Sequence, residues 1–198
     1  MLKHYDKPGL IVAGTDEAGR GCFAGPVYAA AVVLPGDYGN KILNDSKQLN
    51  ERQRNELRVE IEAEALAWGV AMASNNEIDE INILNASILA MHRALDKLHT
   101  RPDFLLVDGN RFKPYQDLPY ECVVKGDATY YAIAAASVLA KTWRDEYMLS
   151  IHEEYPHYHW DSNKGYPTRD HKDAINEHGV SPYHRLSFNM NEQLRMDF

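Results

Sequence analysis

The chain has 198 residues, 44% of them apolar and 25% charged, and 21 basic against 29 acidic side chains leave a net charge of −8. That describes an ordinary globular protein with a core of its own and argues against a protein that grips nucleic acid by bulk positive charge. The longest apolar run, Val27–Leu34, falls far short of the ~18 residues a membrane span needs, and two distant cysteines, Cys22 and Cys122, exclude a disulfide framework. With no apolar stretch near Met1 to act as a secretory signal, the cytoplasm is the expected compartment. The acidity is less decisive than its size: much of it alternates with base, as in Asn50-Glu-Arg-Gln-Arg-Asn-Glu-Leu-Arg58, and carboxylates that bind divalent cations present a positive ion to a partner.

In chain order, Leu10–Asp16 reads as a short buried strand ending at a carboxylate pair, and Val27–Leu34 as a second, closed by Pro35-Gly36. Leu57 and Ile61 at helical spacing predict a helix over Asn50–Ala65, with Asn50 and Gln53 as a capping box. Leu66–Ala73 follows as a strand. Leu84, Ile88, Met91, Leu95 and Leu98 mark one face of an amphipathic helix ending before Arg101-Pro102. Phe104–Asp108 is a strand that stops at a carboxylate and Gly109, and Cys122–Val124 a weaker fifth strand. The Ala-rich stretch from Ala128 to Ser150 predicts a helix with Asp127 as N-cap, and Thr168–His178 another, stopped by Gly179. The expected architecture is α/β: one domain over 1–198, a mixed five-stranded sheet flanked by helices, with a C-terminal helical extension from about 151.

Asp16 and Asp108 each end an expected strand, where α/β folds gather their chemistry. Together with Glu17 and Asp145 they form a candidate metal site, because two divalent ions about 3.5–4 Å apart need several carboxylates and serve an in-line phosphoryl displacement. From pattern alone, the same acids also read as solvated turn residues.

The surrounding blocks decide between these. Gly14-Thr-Asp-Glu-Ala-Gly-Arg-Gly-Cys-Phe-Ala-Gly-Pro-Val27, Asn44-Asp-Ser-Lys-Gln-Leu49, Val107-Asp-Gly109, Lys125-Gly-Asp127, Ala134–Lys141 with Arg144-Asp145, Lys164-Gly-Tyr-Pro-Thr168 with His171, and Ser181-Pro-Tyr-His-Arg-Leu-Ser-Phe188 resemble, in order, the signature blocks of the bacterial ribonuclease HII family, a type 2 ribonuclease H. The resemblance implies a ribonuclease H-like fold. It implies that Asp16, Glu17, Asp108 and Asp145 hold two catalytic Mn2+ or Mg2+ ions, and that Gly19, Arg20 and Gly21 read the ribonucleotide 2′-hydroxyl through their backbone. Tyr166 would pack on the neighbouring deoxyribose and Lys47 contact phosphate. The implied partners are RNA–DNA hybrids and duplex DNA with embedded ribonucleotides. Cys22 and Pro167 depart from the family's usual proline and glycine. The related ribonuclease HIII lacks the Gly-Arg-Gly.

Competing readings are weaker. Gly19-Arg-Gly-Cys-Phe-Ala-Gly25 matches a dinucleotide-binding pattern, but Pro26 and a β-like run follow where a helix is needed. A non-enzymatic nucleic-acid module would need a basic or aromatic grip, and another nuclease or strand-transfer enzyme on the same fold would not carry Gly-Arg-Gly. His152, His157 and His159 show no zinc-ligand spacing, and Lys141 is one turn before Asp145, as a structural ion pair would be. The tail Gln193-Leu-Arg-Met-Asp-Phe198 resembles the peptides that dock on bacterial sliding clamps, with Gln193, Met196 and Phe198 as anchors.

Overall fold

A computed structural model describes residues 2–5, 7, 9–43 and 46–190, apart from the side chain of Lys47. Its sheet contains β1 (Val12–Ala18), β2 (Val27–Val33), β3 (Ala67–Ala73), β4 (Phe104–Asp108) and β5 (Tyr120–Val123). The order is β3-β2-β1-β4-β5. β1 to β3 form an antiparallel meander, while β4 pairs parallel to both β1 and β5, so the sheet is mixed as expected. The sequence reading stops β1 at Asp16, but pairing with β2 carries it through Ala18, opposite Tyr28. Asp16 and Glu17 are therefore consecutive strand residues, and the pleat sends their side chains to opposite faces.

Alternation along β2 builds two layers from small residues. Val27, Ala29, Ala31 and Val33 pack with Ala86, Ala90, Met91 and Leu95 of α2 (Asn75–Asp96). Ala30 and Val32 face Leu57 and Ile61 of α1 (Glu51–Glu64) and the alanines of α3 (Tyr131–His152). Gly14 lets α3 lie directly on β1: a Cβ there would come within 2.3 Å of the Ala132 carbonyl carbon.

The expected capping box on α1 is present, with Gln53 N donating to Asn50 Oδ1 and Asn50 N to Gln53 Oε1. Two helix starts differ from expectation. α2 begins at Asn75, capped by Ser74 and Glu77, and kinks at Asn82 (φ 66°), whose side chain accepts from Asn85 N. The apolar periodicity from Leu84 therefore marks only its second segment; the first is too polar to show a stripe. α3 begins at Tyr131 with Tyr130 as cap residue. Asp127 is not its N-cap but lies in a 3-10 turn, Gly126–Ala128, because Lys125 adopts a left-handed conformation (φ 57°) that folds the chain before the helix starts.

Beyond α3 the chain forms α4 (Trp160–Asn163) and α5 (Arg169–His178); the latter ends at Gly179 as predicted and starts one residue later than expected, with Thr168 as its N-cap. Ala24, Met148, Ile151, Tyr158, Trp160 and Ala174 make a third apolar cluster that ties this extension to α3. His171 and His184 are buried within it. His171 Nδ1–H donates to the Tyr166 carbonyl (2.9 Å), and Trp160 Nε1–H donates to His171 Nε2 (3.1 Å). His184 Nδ1 accepts from Ser181 N (2.9 Å), and its Nε2 lies 3.2 Å from His171 Nε2. Both rings fit this pattern only when neutral. Burial lowers both, His184 to about 4. Among the described residues no helix is long and apolar enough to cross a membrane.

Candidate active site

Parallel pairing of β1 with β4 brings Asp16 and Glu17 close to Asp108. Asp16 is only 5% exposed and lies on the α3 side, where Ser137 hydrogen-bonds it; its Oδ1 also accepts from Glu17 N at 2.7 Å. Burial first, then the charges of Glu17 and Asp108, push its carboxyl well above the usual carboxylate range, and these two hydrogen bonds only partly offset that. Asp108 Oδ1 accepts from Gly126 N at 2.8 Å. Glu17 opens on the α2 side, into a cleft of about 380 Å³ shared with Asp108, Arg20, Ser87, Asn110 and Arg111, and pairs with Arg20 at 3.0 Å. Among the described residues no three His, Cys, Asp or Glu side chains converge into a ready-made metal cage.

β1 runs straight into the Gly19–Gly25 loop, which is braced from behind by two fully buried arginines. Arg144 donates to the carbonyls of Ala24, Pro26 and Lys164 (3.1, 3.0 and 2.8 Å), and Arg185 to those of Gly25 and Arg20 (2.9 Å each). Neither forms an ion pair with a carboxylate among the described residues. Burial draws Arg185 down to about 10; the like charge of Arg144 adds to the shift, and Cys22 opposes it. Gly19 has φ +93°, and a Cβ there would meet Arg144 Nε at 2.0 Å, so both backbone and bracing demand glycine. At Gly21 nothing lies within 4 Å of a Cβ.

Tyr166 is joined to the same loop. Phe23 N donates to the Gly165 carbonyl at 2.8 Å, which links the loop to the residue before Tyr166, and the tyrosine's phenol is raised by burial and by the nearby Cys22 thiol. The Tyr166 ring also lies 5.9 Å from both Lys141 Nζ and Arg144 Cζ.

Asp145 is placed differently from the other acids. Lys141 Nζ holds both its oxygens at 2.5 and 2.7 Å, and Arg54 Nη2 is 3.9 Å away, so its charge is already answered within the protein. The predicted pairing of Lys141 with Asp145 is present. Asp127, read from sequence as a cap, is instead 6% exposed and follows the glycine whose amide holds Asp108. Lys47 sits in a 3-10 turn, and its side chain, like Gln193, Met196 and Phe198, lies outside the described residues. His157 packs on His178 with ring centroids 4.4 Å apart, and His152 faces Asp161 at 3.6 Å. Neither Arg144 nor Arg185 has a role that follows from sequence alone. Arg144 did carry a signal: it shares a helical stripe with Ser137, Ala140 and Met148, a core position for a cation.

The sequence profile of the ribonuclease HII family matches residues 13–191. A ribonuclease HII from Phocaeicola vulgatus is 65% identical over 190 residues, covering 96% of this chain and 94% of the relative. The crystal structure of ribonuclease H2 from Pyrococcus horikoshii superimposes with a TM-score of 0.74 at 26% identity, over 94% of this chain and 99% of that one. The ribonuclease HII in a complex with PCNA from Archaeoglobus fulgidus gives 0.72 at 25% identity, over 91% and 96%. The fold and these relatives define a metal-dependent nuclease that hydrolyses phosphodiester bonds, with ribonuclease H activity on RNA–DNA hybrids. The chain belongs to the ribonuclease HII family.

Proposed function

We propose that this enzyme cuts the phosphodiester on the 5′ side of ribonucleotides, both in RNA–DNA hybrids and at single ribonucleotides embedded in duplex DNA, leaving 3′-hydroxyl and 5′-phosphate ends. The observation that carries the reading is the continuity of β1. Asp16 and Glu17 stand just before its last residue, Ala18, and the loop containing Gly19, Arg20 and Gly21 begins immediately after. A strand fixed by pairing on both sides thus couples the acids to the backbone that would select the sugar.

Asp16, Glu17 and Asp108 are the proposed cation ligands. Their donor set is all oxygen, which suits Mg2+ or Mn2+, and a buried carboxylate beside two others favours a cation over remaining charged alone. With no closed cage of side chains among the described residues, phosphate oxygens and water would complete the shell. Asp127 is the proposed fourth ligand in place of Asp145, because it is buried directly after Gly126, whose amide holds Asp108. Two bound divalent ions would supply Lewis-acid stabilisation of the entering and leaving oxygens and a more acidic water.

The chain's own groups do the selecting. Arg144 and Arg185 keep the loop carbonyls turned inward, leaving the backbone of Gly19, Arg20 and Gly21 to meet the 2′-hydroxyl, the group that separates RNA from DNA. The open space at Gly21 is room for that approach. Tyr166, partly exposed and next to the Gly165 carbonyl that Phe23 N holds, offers a ring to the adjoining deoxyribose. Lys47 is the proposed phosphate contact. The test is cleavage of duplex DNA containing one ribonucleotide, with and without Mg2+ or Mn2+. Metal-dependent nicking at the 5′ side is expected, and an intact duplex beside a cleaved hybrid would restrict the reading to continuous RNA.

Docking on a sliding clamp through Gln193, Met196 and Phe198 is the proposed partner contact; an archaeal relative has been solved in a complex with PCNA. Deleting Gln193–Phe198 should abolish clamp binding and spare cleavage of free duplex, and retained clamp binding would refute the contact.

A further inference from the structure

Ser87 is on the second segment of α2 and is 2% exposed, yet its Oγ has no hydrogen-bond partner among the described residues. A helical serine usually satisfies its hydroxyl on a carbonyl one turn back, and a buried hydroxyl left unpaired disfavours the fold. Its surroundings suggest what the hydroxyl is for. α2 contributes Leu84, Ser87, Ile88 and Met91 to the cleft that holds Glu17 and Asp108, so Ser87 is the one polar side chain it sends there.

We propose that Ser87 is a positioning residue for Glu17: its hydroxyl donates to the Glu17 carboxylate when that group takes up a divalent cation. An ionised carboxylate can accept about four hydrogen bonds. Arg20, itself half exposed, donates to Glu17 Oε1 from the solvent side of the cleft. Ser87 approaches from the helix side, across an otherwise apolar wall, where it fixes the orientation of the carboxylate. A short side chain on a packed helix has few rotamers to lose, so it can hold that orientation at little entropic cost.

The inference rests on Glu17 being a cation ligand, and the experiment separates the two claims. Mn2+ binding to the full chain without nucleic acid is followed by electron paramagnetic resonance for the wild type, Glu17→Gln, Ser87→Ala and Ser87→Cys, with Tm for each. Glu17→Gln should lose most Mn2+ affinity. Ser87→Ala should weaken it about tenfold while leaving Tm equal to or above wild type, since it removes an unpaired hydroxyl. Ser87→Cys, close in shape but a weak donor, should behave like the alanine variant. Wild-type Mn2+ affinity in Ser87→Ala beside a damaged Glu17→Gln would overturn the role of Ser87 alone. A clear fall in Tm or failure to fold in Ser87→Ala would overturn it too, by showing that the hydroxyl has a structural partner. Unchanged affinity in Glu17→Gln would overturn the ligand assignment, and the inference with it.

Discussion

The end of β1 separates two ways of holding functional groups. Before Ala18, strand pairing sets Asp16 and Glu17 beside Asp108 of β4, and the three acids repel one another; Asp16 carries the strain of burial beside two like charges. After it, the Gly19–Gly25 loop is drawn together by guanidinium groups that donate to five of the chain's carbonyls. The first region is organised for something outside the protein to complete, while the second is held from within, with Arg185 Nη2 alone among its guanidinium nitrogens buried and unpaired among the described residues. Neutralising a charge should therefore act in opposite directions on stability in the two places.

The largest expected effect is on turnover. Asp16→Asn or Asp108→Asn should lower kcat on an RNA–DNA hybrid by at least about 1,000-fold, equivalent to roughly 4 kcal/mol, while Tm holds or rises. Asp127→Asn should follow them, and Asp145→Asn should lose less than about tenfold; single-turnover cleavage with matched melting curves measures both. If Asp145→Asn proved the more damaging, the fourth ligand would have to be moved back to α3.

On the braced side, Arg185→Met strips donors from the carbonyl of Arg20 and the buried carbonyl of Gly25. It should cost about 3 kcal/mol, a fall in Tm of about 6–12 °C for a chain of this size. An unchanged Tm would erase the contrast between the regions.

Acid should probe the same side. His184 is held at about 4, below the 6.5 of an unperturbed imidazole, and His171 is lowered in the same direction. Between these values the unfolded chain binds protons that the folded chain refuses, so stability is full above pH 6.5 and declines as pH falls toward 4. His184 alone should account for about 3 kcal/mol of that loss, read as the difference in urea midpoint between the ends of the window. His184→Gln should flatten the slope.

The smallest effect sharpens the link between bracing and selection. Tyr166→Ala should lower kcat/KM about tenfold on a single embedded ribonucleotide and less on a continuous hybrid. Equal losses on both substrates would reduce Tyr166 to packing.

How much of this is visible in sequence follows the same divide. The acids Asp16, Glu17 and Asp108 are legible because they sit at or beside the ends of short apolar strands, and strand pairing does the rest. Asp127 and Asp145 are not sorted by local pattern: an acid before an Ala-rich stretch reads as a cap, and only the left-handed turn at Lys125 shows otherwise. The first segment of α2 escapes notice because its stability comes from Ser74 and Glu77 rather than an apolar stripe. Arg144 and Arg185 are hardest to see, since their partners are carbonyls more than a hundred residues away along most of their bonds, and a backbone carbonyl has no letter in the sequence.

That distance matters to a chain still being made. Arg185 ties down the carbonyls of Arg20 and Gly25 across 165 and 160 residues, and Ala24 bridges to His184 beside it. On a ribosome, the acids of β1 and β4 can meet once residue 108 has emerged, but the loop beside them cannot be locked until nearly the whole chain has been synthesised. The part that would choose where to cut is therefore finished after the part that would do the cutting, and a chain interrupted before Arg185 would carry its acids beside an unfastened loop.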